Sequence, residues 1–142
     1  MSESNPSPEN SPTTDGAPKK KVLIVDDEAT FTRMVRMNLE QTGRFEVLEE
    51  NRATHALTAA RDFEPDVILL DVIMPSMDGG ELASKIKADA KLARTPIIFL
   101  TATVSKHEAQ DSGFPSGGFL FLAKPVSLQN LLAAIDNSMA KA

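Results

Sequence analysis

The run Asp66-Val67-Ile68-Leu69-Leu70-Asp71 constrains the fold of this chain more than any other stretch. Four consecutive aliphatic residues lie between Pro65 and the segment Val72-Ile73-Met74-Pro75. That pattern predicts a strand covered on both faces, as in the centre of a parallel sheet. Such a strand delivers Asp71 to its carboxyl end, just ahead of an irregular loop. Open α/β sheets hold their ligands at that position.

The remainder of the chain alternates short apolar runs with longer amphipathic stretches. Val22-Leu23-Ile24-Val25 predicts a buried first strand ending at the acidic cluster Asp26-Asp27-Glu28. Phe31, Met34, Val35 and Leu39 then mark one face of a helix that Gly43 ends. Phe45 to Glu49 half alternates, as an outer strand does, and Ala53 to Arg61 predicts an alanine-rich helix closed before Pro65. Beyond Asp71, a third helix begins near Asp78-Gly79-Gly80 and carries Leu82, Ile86 and Ala90 on its apolar face. Pro96 introduces a fourth strand, Ile97-Ile98-Phe99-Leu100, with Thr101 at its end. Ser105 to Ser112 predicts a short helix limited by Gly113, Pro115, Gly117 and Gly118. Phe119 to Ala123 is the fifth strand, with Lys124-Pro125 at its exit. Leu128, Leu131, Leu132, Ile135 and Met139 mark a last amphipathic helix that Ser127 caps. Five β-α units in strict alternation imply a parallel sheet, helices on both faces and right-handed crossovers, a doubly wound α/β domain.

Composition narrows the partners. A chain of 142 residues with 42% hydrophobic residues supports one domain with its own core. The formal net charge of −5 argues against nucleic acid, which selects a clustered basic face. Lys19-Lys20-Lys21 reads as a solvated entry to the first strand. Residues 1–18, rich in Ser, Pro, Asn and Thr, bury too little surface to offset their ordering entropy and are expected to form a disordered tail. Residues 19–142 then make the folded domain. The absence of cysteine excludes a disulfide framework, and Met1 to Thr14 holds no apolar stretch of a signal peptide. No run approaches the roughly 20 apolar residues of a membrane span. The expectation is a cytoplasmic protein without membrane contact.

The polar residues at the strand exits carry the chemistry. Asp26 and Asp27 follow the first strand, Asp71 the third, Thr101 the fourth and Lys124 the fifth. A parallel sheet brings all of these exits to one edge. Three carboxylates about 5 Å apart repel by roughly 3 kcal/mol per pair at an effective dielectric near 20. An all-oxygen cluster of few protein ligands suits Mg²⁺. Lys124 adds a compact positive charge. Cation and ammonium together attract a phosphoryl group, which permits nucleophilic attack by a carboxylate on phosphorus. Asp71, alone on the central strand, is the expected nucleophile, and the adjacent Asp26 and Asp27 suit metal binding. In isolation each residue has a plainer reading: an acidic helix start, a turn former, a strand threonine, a surface lysine. Their co-location reverses those readings. His55 and His107 have no ligand partner at metal spacing and read as solvated helix residues. The pairs Gly79-Gly80 and Gly117-Gly118 read as turns, since no lysine plus Ser/Thr follows either.

From about Lys21 to Lys141 the chain resembles the receiver domain of bacterial two-component response regulators. The resemblance rests on Asp26-Asp27, on Asp71 with Met74-Pro75 and Asp78-Gly79 downstream, on Thr101-Ala102, and on Lys124-Pro125. It implies a flavodoxin-like fold of strand order 2-1-3-4-5. It implies phosphoryl transfer from a sensor histidine kinase or histidine phosphotransfer protein to Asp71, with Mg²⁺ held by Asp26, Asp27, Asp71 and the Ile73 carbonyl. It also implies a cis Lys124-Pro125 bond and a switch in which Thr101 moves toward the phosphoryl group while Phe121 changes rotamer.

Two features depart from the family pattern. Phe121 has no hydroxyl, so a switch there works through packing alone. The Gly113 to Gly118 stretch is unusually rich in glycine and proline. Ile73 and Thr103, two residues beyond Asp71 and Thr101, are placed to border the path of an attacking water. Because 142 residues leave little room for an output domain, the expected output is binding. The surface of the fourth helix, fifth strand and fifth helix would meet a target protein or a second copy. Two rivals stand beside this reading. An aspartate-nucleophile phosphatase of the haloacid dehalogenase type has a second aspartate two residues after the nucleophile, where this chain has Ile73. A phosphorylation-independent adaptor would usually have lost an acidic residue, and none is lost here.

Overall fold

The computed structural model describes residues 18–75, 77–101, 120–124 and 126–141. The first half of the chain runs β1 (Lys20–Val25), α1 (Ala29–Gln41), β2 (Phe45–Glu50), α2 (Ala56–Phe63) and β3 (Val67–Asp71). A two-stranded hairpin follows, β4 (Ile73–Met74) with β5 (Met77–Asp78), and leads into α3 (Gly79–Ala88). The second half carries β6 (Ile97–Thr101), β7 (Leu120–Ala123) and α4 (Leu128–Lys141). The main sheet is parallel in the order β2-β1-β3-β6-β7. With the hairpin set aside, that is the expected order 2-1-3-4-5.

Alternation within each strand divides the core into two layers, because successive side chains leave a strand on opposite faces. Leu23, Val25, Ile68, Leu70 and Phe99 point to the α2/α3 side. Val22, Ile24, Leu69, Ile98 and Leu100 point to the α1/α4 side. All five residues of β3 are buried, as its continuous apolar run requires. Each such aliphatic side chain contributes about 1.5–3 kcal/mol through burial. The outer strand β2 buries only alternate residues, Phe45 and Val47.

Several local expectations change in the folded chain. Met34 is 46% exposed, and Thr32 takes its place against the core beside Val35 and Leu39. The second helix opens with a 3₁₀ turn at Ala53–His55 and runs on to Phe63, ended by Glu64 in the left-handed region at φ 55°. The third helix stops at Ala88, short of Ala90. Asp89 is extended there and its carboxylate accepts the Lys91 N–H at 2.9 Å, which starts a new turn. Gly79 and Gly80 are the first residues of α3 and not a free turn, because the Asp78 side chain accepts the Gly80 N–H and caps the helix. Leu128 is 38% exposed, while Leu131, Ala134 and Ile135 carry the contact of α4 with the sheet. Ser127 caps that helix as expected, its Oγ accepting the Asn130 N–H at 3.1 Å. Lys21 is half-buried, its ammonium donating to the Phe63 carbonyl. The tail through residue 17, the segment 102–119 with Thr103 and His107, and Pro125 lie outside the described residues.

Candidate functional site

The sheet register explains why distant polar residues meet. Val25 pairs with Leu70, so Asp26 and Asp71 leave their strands at the same level. Asp71 pairs with Leu100, and Leu100 with Leu122. Thr101 and Lys124 therefore follow at the same edge, joined by the Lys124 N–H donating to the Thr101 carbonyl at 2.9 Å.

Carboxylate oxygens of Asp26, Asp27 and Asp71 all lie within 4.8 Å of one another. The Lys124 ammonium is 2.6 Å from Asp26 Oδ2, 3.5 Å from Glu28 Oε1 and 3.8 Å from Asp71 Oδ1. A cavity of about 450 Å³ opens over this cluster, lined by Asp27, Glu28, Asp71, Ile73, Met74, Pro75, Thr101 and Lys124. Asp26 is fully buried behind the cavity wall, and Thr101 is 2% exposed at its base.

Burial and the nearby charge of Asp26 push the Asp71 carboxyl up from its ordinary 3.8 to about 6, against the opposing pull of Lys124 and the Ile73 N–H. Burial works against the Lys124 ammonium as well. Its hydrogen bond to Asp26 and the charges of Asp26, Asp71 and Glu28 outweigh that cost and hold its pKa above the ordinary lysine value. One ammonium thus meets Asp26, Glu28 and Asp71 with Asp27 close by, and the crowded negative charge remains undercompensated. Hard oxygen donors at one open cavity fit Mg²⁺ in both chemistry and charge. Asp27 is exposed and offers its oxygens from the cavity side, whereas Asp26 approaches from within.

Five expected site residues thus come together: Asp26, Asp27, Asp71, Thr101 and Lys124. Phe121 stands apart from the cavity lining. It pairs with Phe99 across the sheet, and the two rings stack with centroids 4.9 Å apart. Ile73 is 59% exposed and borders the cavity, with its N–H turned to the Asp71 carboxylate. His55 is exposed and takes no part in the site.

Three further residues support the site, of which Asn51 alone was not named from sequence. Glu28 reaches Lys124 from the first loop. Asn51, just after β2, donates to the Asp26 carbonyl at 2.8 Å and to Thr32 Oγ1 at 3.0 Å, fixing the exit of β1. Gly79 packs so closely on the exit of β3 that a Cβ there would stand 2.4 Å from the Asp71 carbonyl oxygen. The Asp78-Gly79 pair was visible as a motif, but the steric reason for its glycine lies in the fold. Asn51 left no sequence signal, because a lone asparagine after a strand reads as a turn.

Comparison with known proteins agrees with this geometry. A family model described as "Response regulator receiver domain" matches residues 22–136. The phosphate regulon transcriptional regulatory protein PhoB of Pseudomonas aeruginosa is 37% identical over 116 residues, covering 82% of this chain and 50% of that protein. Response regulator Rre1 of Synechocystis is 32% identical over 120 residues, covering 84% of this chain and 52% of its own length. The chain spans about half the length of these curated relatives. Among solved structures, the Vibrio cholerae chemotaxis protein CheY4 superposes with a TM-score of 0.74 at 32% identity, covering 85% of this chain and 99% of that one. By motif, fold and relatives, the chain belongs to the response regulator receiver domain family.

Proposed function

We propose that this chain is a phosphoacceptor signalling module in which Asp71 takes a phosphoryl group from a phosphohistidine of a sensor histidine kinase or histidine phosphotransfer protein. An Asp71 carboxylate oxygen attacks phosphorus; the P–O bond forms as the P–N bond breaks, and the imidazole nitrogen leaves with the electron pair. With its pKa near 6, Asp71 is mostly ionised at pH 7 and competent as a nucleophile. Mg²⁺ held by Asp26, Asp27, Asp71 and the Ile73 carbonyl would neutralise charge on the transferring oxygens. Lys124 pairs one phosphoryl oxygen, and the Thr101 hydroxyl donates to another. Phe121 then shifts against Phe99, which passes the change to the neighbouring surface by packing alone. The output is binding, through a face that includes β7 and α4, to a target protein or a second copy. Residues 19–142 act as the receiver unit, and the module works in the cytoplasm.

The observation that carries this reading is the meeting of Asp26, Asp27, Asp71 and Lys124 within one charge cluster at a single sheet edge. Exposed Ile73 bordering the cavity adds a kinetic consequence: its bulk slows water attack on the acyl phosphate, and Ile73→Asn should lose phosphate faster. Incubation with Mg²⁺ and a small phosphodonor, followed by intact-mass measurement, tests the whole. One phosphoryl group should be gained by the wild-type chain and none by Asp71→Asn. A wild-type chain that gains none overturns the reading. Turnover of small phosphate esters would instead favour a phosphatase.

A further inference from the structure

Phe31 enters the sequence pattern only as an apolar residue of α1, yet its ring reaches the site. The Lys124 ammonium lies 4.4 Å from the ring centroid, within the range of a cation–π contact. The ring is well fixed. Phe31 sits in the first turn of α1, where its N–H donates to the Glu28 carbonyl at 3.1 Å, and its side chain packs half-buried against the α1/α4 core layer. The lysine is held at its tip by charge, above all by Asp26 at 2.6 Å. A four-carbon stem carrying a compact charge has little directional preference of its own.

The ion-pair partners of the ammonium within 4 Å, among the described residues, are the carboxylates of Asp26, Glu28 and Asp71. Two of these change during the proposed reaction. Asp26 would be engaged by the divalent cation, and Asp71 would exchange its carboxylate charge for an acyl phosphate. The aromatic face is uncharged, gains and loses no proton, and takes no hydrogen bond from the ammonium that a phosphoryl oxygen needs. We infer that Phe31 is a positioning residue whose ring holds the Lys124 ammonium at the cavity while its carboxylate partners change. This rests on the reading of Asp71 as phosphoacceptor and adds a device to it.

The test uses the full chain with position 31 altered in two ways. One series replaces Phe31 by its 4-fluoro, 3,5-difluoro and 3,4,5-trifluoro analogues, which drain the ring face of negative potential while nearly keeping its shape. The other comprises Phe31→Tyr and Phe31→Leu. Two quantities are read: the upfield ring-current shift of the Lys124 ε-methylene protons in the metal-free chain, and the rate of Asp71 phosphorylation by a small phosphodonor at saturating Mg²⁺. The rate should fall stepwise with fluorination, by about two- to fivefold in total. Phe31→Leu should show a similar loss and no upfield shift, Phe31→Tyr should keep both, and Mg²⁺ affinity should not move. A flat fluorination series, or an unchanged methylene shift in Phe31→Leu, overturns the inference. A wild-type chain that takes no phosphoryl group refutes the acceptor reading instead, and the methylene shift then decides whether the ring holds the ammonium.

Discussion

Asp26 and Asp71 leave neighbouring strands at the same level, yet their surroundings differ. Asp26 is fully buried and well partnered: one oxygen accepts the Glu28 N–H at 2.9 Å, the other meets Lys124 at 2.6 Å, and Asn51 grips its carbonyl. Asp71 faces the cavity, has the ammonium at a looser 3.8 Å and the Ile73 N–H, and is pushed up to about 6. The fold satisfies one carboxylate and leaves the other short of compensation. Two like charges at one sheet edge thereby divide into an anchor, which holds the lysine, and an undercompensated group that faces the cavity.

The sharpest way to break this contrast is at the backbone that supports Asp71. Gly79→Ala puts a methyl group into the Asp71 carbonyl and the Val72 backbone, where no flexible side chain can give way. The exit of β3 must move, with an expected loss of about 3 kcal/mol and of phosphorylation, both readable by urea denaturation and intact mass. Asp26→Asn comes next. It removes the short partner of Lys124 from a fully buried position, with an expected cost of about 2 kcal/mol and a marked fall in Mg²⁺ affinity by titration.

Asp71→Asn should have the opposite sign. The folded carboxyl binds its proton more tightly than the unfolded chain does, so the native state carries more protons between the two values. Without metal, stability therefore falls as pH rises from about 4 to 6 and levels off above. Asp71→Asn should remove that slope and stabilise the metal-free chain at pH 7 by about 1–2 kcal/mol, a figure reduced for solvent screening at the open cavity. Thermal melts across pH check both. The smallest effect belongs to Asn51→Ala. Loss of its two hydrogen bonds should cost about 1 kcal/mol and weaken Mg²⁺ binding slightly, since Asp26 keeps its own carboxylate contacts.

Much of the fold was legible because periodicity records burial. The run Val67 to Leu70 announces a strand covered on both faces, and Ser127, Gly43 and Pro65 mark ends that the structure keeps. Surface helix faces were less legible. Met34 and Leu128 fit an apolar stripe by spacing alone, but the width of the buried stripe depends on how closely each helix seats on the sheet. Ala90 fell outside its helix because Asp89 offers a competing local hydrogen bond, which apolar spacing does not register.

By itself, then, the chain determined the alternation of strands and helices and the order in which acidic, hydroxyl and ammonium residues reach the strand exits. Those facts follow from local hydrophobic period and from residue chemistry, which any stretch carries with it. Only the tertiary structure decided that Asp26 is the satisfied carboxylate and Asp71 the strained one. It likewise decided that Phe31 lies against Lys124 and that residue 79 has no room for a side chain. Those outcomes depend on register and close packing between elements far apart in the chain, at distances of 2–5 Å that no local pattern encodes.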